Sequence, residues 1–88
     1  MATVPFPDRR HSLEGVDLDG VEMTISFCIA RKLYTCPGCR ARMEIGHEHV
    51  LVKFRSGPRA GSHQHWHKDC AATRYIREFT NPKVVPNR

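Results

Sequence analysis

Apolar and polar residues alternate along residues 21–30. Val21, Met23, Ile25, Phe27 and Ile29 interleave with Glu22, Thr24, Ser26, Cys28 and Ala30. A period of two over that length predicts a half-buried strand. A second strand is predicted from His47 to Phe54, with Val50, Val52 and Phe54 on one face and His49, Leu51 and Lys53 on the other. From His67 to Phe79 the period changes, and Ala72, Tyr75, Ile76 and Phe79 recur at helical spacing. The chain should be helical there, with Asp69 in the first turn, where a negative charge suits the helix dipole, and Asn81-Pro82 ending it. Asp17-Leu18-Asp19-Gly20 is a turn signal, and the glycine- and serine-containing run from Arg55 to Gln64 reads as a flexible basic loop. The expected fold class is therefore α+β, with β-hairpins and one C-terminal helix. Residues 1–20 are expected to form an irregular arm, 21–80 a single domain, and 81–88 a disordered tail.

At 88 residues, the chain buries too little apolar surface for its core to be more than marginally stable, and small domains of this size often add a metal, disulfides or a partner. No apolar run approaches the roughly 18 residues of a membrane span. Met1 to Asp8 lack the basic start and apolar stretch of a secretion signal. The expectation is a cytoplasmic protein without a membrane segment, in a compartment where thiols stay reduced.

Four cysteines in that setting read as metal ligands or buried thiols. Cys36-Pro37-Gly38-Cys39 is a tight turn that aims two sulfurs at one point. His67-Lys68-Asp69-Cys70 is a second pair, with 27 residues between the two. Together they supply the four N/S ligands of a closed structural zinc site. A redox dithiol would need a long helix directly after the first pair, but Arg40 to Gly46 lead into a strand. Cys28 is expected to be a small buried hydrophobe, with ligation in place of His67 as the alternative. His65 is the next candidate after His67. His47 and His49 are expected to be solvent-exposed polar positions, and His11 is unassigned.

The chain has a net charge of +5, unevenly spread. Residues 1–30 set Arg9 and Arg10 against Asp8, Glu14, Asp17, Asp19 and Glu22, for a net −3. Residues 31–77 carry ten Lys/Arg against Glu44, Glu48 and Asp69, for a net +7. Three thiolates and a zinc ion would leave that segment at about +6. A segment this basic attracts phosphates. The candidate nucleic-acid contacts are Arg40, Arg42, Lys53, Arg55, Arg59, Lys68, Arg74 and Arg77, with Tyr34 or Phe54 stacking on an unpaired base if exposed.

Several chemistries are excluded by pattern. An EF-hand beginning at Asp17 would need glutamate at its twelfth position, where Cys28 stands. His47-Glu48-His49 is not His-Glu-x-x-His, and Gly57 to Gly61 lacks the Gly-Lys-Ser/Thr end of a phosphate loop. A zinc deaminase would need a His/Cys-x-Glu paired with Pro-Cys-x-x-Cys. A metal-dependent nuclease of the His-Asn-His type stays as the less favoured alternative function: His47 or His49 could act as base, but no helical His or Asn completes the site.

The order zinc turn, hairpin, and helix carrying the last ligands in its first turn is the treble-clef arrangement. Cys36-x-x-Cys39, then Met43, Gly46 and a strand, then Trp66-His67-x-x-Cys70, resembles the zinc fingers of the poly(ADP-ribose) polymerase and DNA-ligase type. It is also similar to short bacterial treble-clef proteins of unassigned role. The resemblance spans roughly residues 34–79. It implies that Cys36, Cys39, His67 and Cys70 ligate zinc and that Trp66 packs beside the metal. The functional expectation is a non-enzymatic binding module for DNA or RNA with little sequence preference. The alternative is a protein-interaction adaptor offering the edge of its first predicted strand, residues 21–29, with the acidic arm contacting a basic partner or folding back on the basic face.

Overall fold

In the computed structural model, residues 8–86 are described. Seven strands run in chain order: β1 His11–Val16, β2 Glu22–Ile29, β3 Tyr34–Thr35, β4 Arg42–Met43, β5 Glu48–Phe54, β6 His63–Trp66 and β7 Thr80–Pro86. The helix α1, Lys68–Arg74, and a 3-10 turn, Ile76–Glu78, separate β6 from β7. Five strands form an antiparallel sheet in the order β6-β5-β2-β1-β7, and β3 and β4 form a separate hairpin. This is the α+β class expected. Among the described residues, no helix is long and apolar enough to cross a membrane.

The alternation in β2 and β5 positions the core. Met23 pairs with Phe54, Ile25 with Val52, and Phe27 with Val50, which in turn pairs with Trp66. Side chains on one strand face therefore meet as a single layer. Leu13, Met23, Ile25, Val50, Val52, Phe54 and Trp66 join Ala71, Tyr75, Ile76 and Phe79 in one buried cluster. The expected turn between β1 and β2 forms: the Asp17 carboxylate accepts the N–H groups of Asp19 and Val21, each at 2.9 Å, and Gly20 supplies a φ of 80°.

Four expectations are corrected. Part of the predicted arm is β1: Leu13 is buried and pairs with Ile25 on one side and Val84 on the other. Residues 81–86 of the predicted tail, together with Thr80, form β7 along the outer side of β1. Pairing energy, rather than a buried apolar stripe, orders this strand, whose Lys83 and prolines suit an edge. Residues 1–7 and 87–88 of these segments lie outside the described residues. β2 lies between β1 and β5 and so has no free edge to offer a partner. The predicted single helix from His67 to Phe79 breaks after Arg74. Tyr75 leaves helical geometry at φ −121°, ψ −58°. The turn that follows delivers the Phe79 ring onto the backbone of Gly15 in β1.

The Arg55–Gln64 loop is shorter and more ordered than expected. The Phe54 N–H donates to the Ser62 carbonyl at 3.0 Å and the Gly61 N–H to the Phe54 carbonyl at 2.9 Å. His63 and Gln64 already belong to β6.

Candidate metal centre

The turn between β3 and β4 is closed by two backbone bonds. The Cys36 N–H donates to the Ala41 carbonyl at 3.0 Å, and the Arg40 N–H to the Cys36 carbonyl at 2.8 Å. Arg40 sits in the left-handed region, at φ 64°. The second pair straddles the start of α1: His67 is its N-cap and Cys70 lies in its first turn. Trp66, at the end of β6, lies against the Cys36–Cys39 turn. A Cβ added to Gly38 would fall 2.6 Å from its Cζ3 and 3.2 Å from the Cys70 Cβ. Glycine at 38 is what lets the indole and α1 come so close to the turn.

The ligand atoms of Cys36, Cys39, His67 and Cys70 all lie within 4.8 Å of one another, so the four can hold a metal ion. The Nδ1 of His67 stands 3.3 Å from the Cys39 Sγ and 4.0 Å from the Cys70 Sγ. Metal bonds of about 2.3 Å to sulfur and 2.05 Å to nitrogen at a tetrahedral angle would put N and S about 3.6 Å apart, between those two values. Cys36 is fully buried, Cys39 exposed, and His67 and Cys70 half-buried.

The thiols are electrostatically unequal. Burial works against ionising Cys36, but amide hydrogen bonds from His67, Cys39 and Gly38 outweigh it and bring the thiol down to about 6. Burial, hydrogen bonding to Cys39 and Cys36, and repulsion from those same sulfurs push Cys70 up to about 12. Ionising all three sulfurs together requires a positive charge among them, which a bound cation would supply.

An open cleft of about 710 Å³ runs beside Cys39 and Cys70. Asp69 and Glu78 line it together with Arg74, a mixed charge that does not suit a phosphate backbone. The predicted nucleic-acid residues lie on separate elements: Arg40 and Arg42 on the β3–β4 hairpin, Lys53, Arg55 and Arg59 on β5 and its loop, Lys68 and Arg74 on α1, and Arg77 in the 3-10 turn. Most are exposed, but Lys68 is half-buried. Arg55 pairs with Glu14 at 3.3 Å and Arg74 with Glu78 at 3.7 Å. Glu14 is thus an acidic residue of the predicted arm that does reach the protein's own basic residues. Phe54 is buried beneath the Arg59 guanidinium, 4.4 Å from its ring centroid, and is not available to a base. Tyr34 is stacked on His65 at 3.6 Å, with Lys32 also over its ring.

Two positions were misjudged from sequence. His49 is fully buried, not solvent-exposed, and its Nε2 lies 2.6 Å from the Nδ1 of His65. Burial lowers the pKa of His49, and burial together with the neighbouring His49, His63 and Lys32 charges lowers that of His65 to about 4. Cys28, half-buried, joins these two histidines in a second group of potential ligands. The only sequence signal was the shared strand face of Cys28 and His49. The β3–β4 hairpin that brings Tyr34 against the histidines is a tertiary contact.

The chain belongs to the Rv1322 family, whose description, "Rv1322 family protein", matches residues 21–72, more than half the chain. It is 42% identical over 50 residues to the uncharacterized protein Rv1322 of Mycobacterium tuberculosis and, to the same degree, to the uncharacterized protein Mb1356 of Mycobacterium bovis. The match covers 54% of this chain and 51% of each relative, so it spans about half the length of the curated relatives. No solved structure matches.

Proposed function

We propose that this Rv1322-family chain is a small cytoplasmic module stabilised by one structural zinc ion and that it binds nucleic-acid phosphates through basic residues around the β3–β4 hairpin. The observation that carries the zinc reading is the convergence of three sulfurs and one imidazole nitrogen on one point. That donor set favours zinc among the common ions, and four protein ligands leave no open position for a substrate. The role proposed for this centre is therefore structural, not catalytic. A cysteine turn in one hairpin, a second hairpin, and a helix carrying the last ligand support the treble-clef reading. Trp66 against the turn supports the likeness to polymerase- and ligase-type fingers.

The phosphate reading rests on Arg40 and Arg42, both exposed and neither in an ion pair among those described. Arg40 occupies a left-handed position that glycine would fill at lower cost, and strain held at an exposed cation points to use. Such contacts release counterions, which gives steep salt dependence and little sequence preference. Fluorescence anisotropy with a random-sequence oligonucleotide tests it. Arg40→Ala and Arg42→Ala should each weaken binding and lower the salt slope by about one. No binding at low salt, or binding indifferent to both changes, would sink the reading.

A protein partner is the second reading. Leu33 and Ile45, 50% and 66% exposed, flank the same hairpin, and apolar side chains presented beside cations suit a protein surface. Nuclease-resistant association lost in Leu33→Ser and Ile45→Ser, with oligonucleotide binding unchanged, would favour it.

A further inference from the structure

Cys28, His49 and His65 come from three neighbouring strands, β2, β5 and β6. Cys28 sits directly opposite His49 in the β2–β5 ladder, and His65 sits opposite Leu51, two residues along β5. All three project from the sheet face that does not carry Val50 and Val52, because strand side chains alternate. Their ligand atoms lie within 4.8 Å of one another. Tyr34 covers them from the hairpin, with its ring stacked on His65 and 5.7 Å from that of His49.

The His49 ring is oriented by a second interaction. Its Nδ1–H donates to the carbonyl of His47 at 3.3 Å. Neutral imidazole carries one ring proton, so Nε2 is left as a lone pair aimed at His65. A backbone acceptor that fixes the far nitrogen of a buried histidine is the usual support of a metal-binding imidazole. The Cys28 sulfur has only a weak contact with the Ile29 carbonyl, at 3.8 Å.

We infer that Cys28, His49 and His65 form a second metal site, which takes a zinc-type divalent ion and leaves one coordination position open to water or another small ligand. One sulfur and two imidazoles are borderline donors that suit such an ion, and three protein ligands are the number found where zinc keeps an exchangeable position. Without metal, the proton on His65 Nδ1 bridges to His49 Nε2. Binding releases that proton or moves it to the far nitrogen of His65, and it releases the thiol proton of Cys28. Nitrogen atoms sharing a tetrahedral ion lie about 3.3 Å apart, so His49 Nε2 and His65 Nδ1, now 2.6 Å apart, separate by less than 1 Å. The site shares no ligand with the Cys36/Cys39/His67/Cys70 centre.

The test is metal counting on the full chain. The apoprotein is titrated anaerobically with zinc and counted by native mass spectrometry, then titrated with cobalt(II) and read from its visible spectrum. The wild type should hold two ions. Cys28→Ser and His65→Gln should each hold one fewer, with unchanged far-UV circular dichroism, and Cys28→Ser should lose the charge-transfer band of a single thiolate. An unchanged ion count in both variants overturns the second site, whatever the total, and makes the His49–His65 contact a plain hydrogen bond. A fall from one ion to none would keep this site and instead refute the four-ligand centre.

Discussion

Gly15→Ala tests how the end of the chain is locked to its beginning. A Cβ at position 15 would fall 2.2, 2.4 and 2.7 Å from three carbons of the Phe79 ring. Non-bonded carbons settle at about 3.5–4.0 Å, so the ring or β1 must move by more than 1 Å. Neither moves freely. β1 is paired on both sides, with β2 and β7, and Phe79 belongs to the buried cluster. Overpacking of this kind costs about 1–3 kcal/mol, and two constrained partners put the expected loss near 2–3 kcal/mol. A chain of this size loses about 4–8 °C of Tm per kcal/mol, which gives a fall of about 10–20 °C. Urea and thermal unfolding at saturating zinc, followed by Trp66 fluorescence, measure it. In a Phe79→Leu background the same substitution should cost under about 1 kcal/mol, because the ring it strikes is gone. Were there no close approach, alanine would raise stability by about 0.5–1 kcal/mol, since glycine loses more chain entropy on folding. A neutral or stabilising Gly15→Ala, or an equal penalty in both backgrounds, would refute the packing argument.

Arg40→Gly should raise stability by about 0.5–1 kcal/mol, by relieving a left-handed arginine, while weakening oligonucleotide binding; a gain in both would remove Arg40 from the interface. The metal-free chain should be most stable near pH 9, as read by urea unfolding in chelator. Cys36 falls from an ordinary 9.0 to about 6 on folding, so its contribution is lost as pH drops from 9 through 6. Cys70 rises from 9.0 to about 12, so stability is also lost as pH climbs from 9 through 12. A stability that rises steadily beyond pH 9 would contradict the crowding of the three thiols. Chelation, or Cys39→Ser, should leave the chain folded but lower its Tm, because a metal held there ties the β3–β4 hairpin to α1; an unchanged Tm would mean that no metal is held there.

What was legible in the sequence followed from local pattern. The Val21–Ile29 alternation located β2 because half of its side chains enter one core, and the two ligand pairs could be found because each is short and self-contained. What escaped depended on contacts distant in sequence. β1 offers only Leu13 and Val16 around a glycine, too little for a period, and β7 is mostly exposed and twice interrupted by proline, so both form through pairing with each other. α1 stops at Arg74 although its apolar stripe continues to Phe79, since helical geometry alone would not carry that ring to Gly15. His49 shows the limit most clearly. Alternation assigned it correctly to the face opposite Val50 and Val52 and then wrongly to water, because a two-layer reading allows only one buried face. The β3–β4 hairpin covers the end of the other face with Tyr34, and the polar residues gathered beneath it are two histidines and a cysteine. Burying His49, with Cys28 and His65 half-buried beside it, is costly unless each is bonded. That gives the second cluster its significance: a chain with too small an apolar core has placed potential metal ligands, rather than more hydrocarbon, beneath the β3–β4 hairpin.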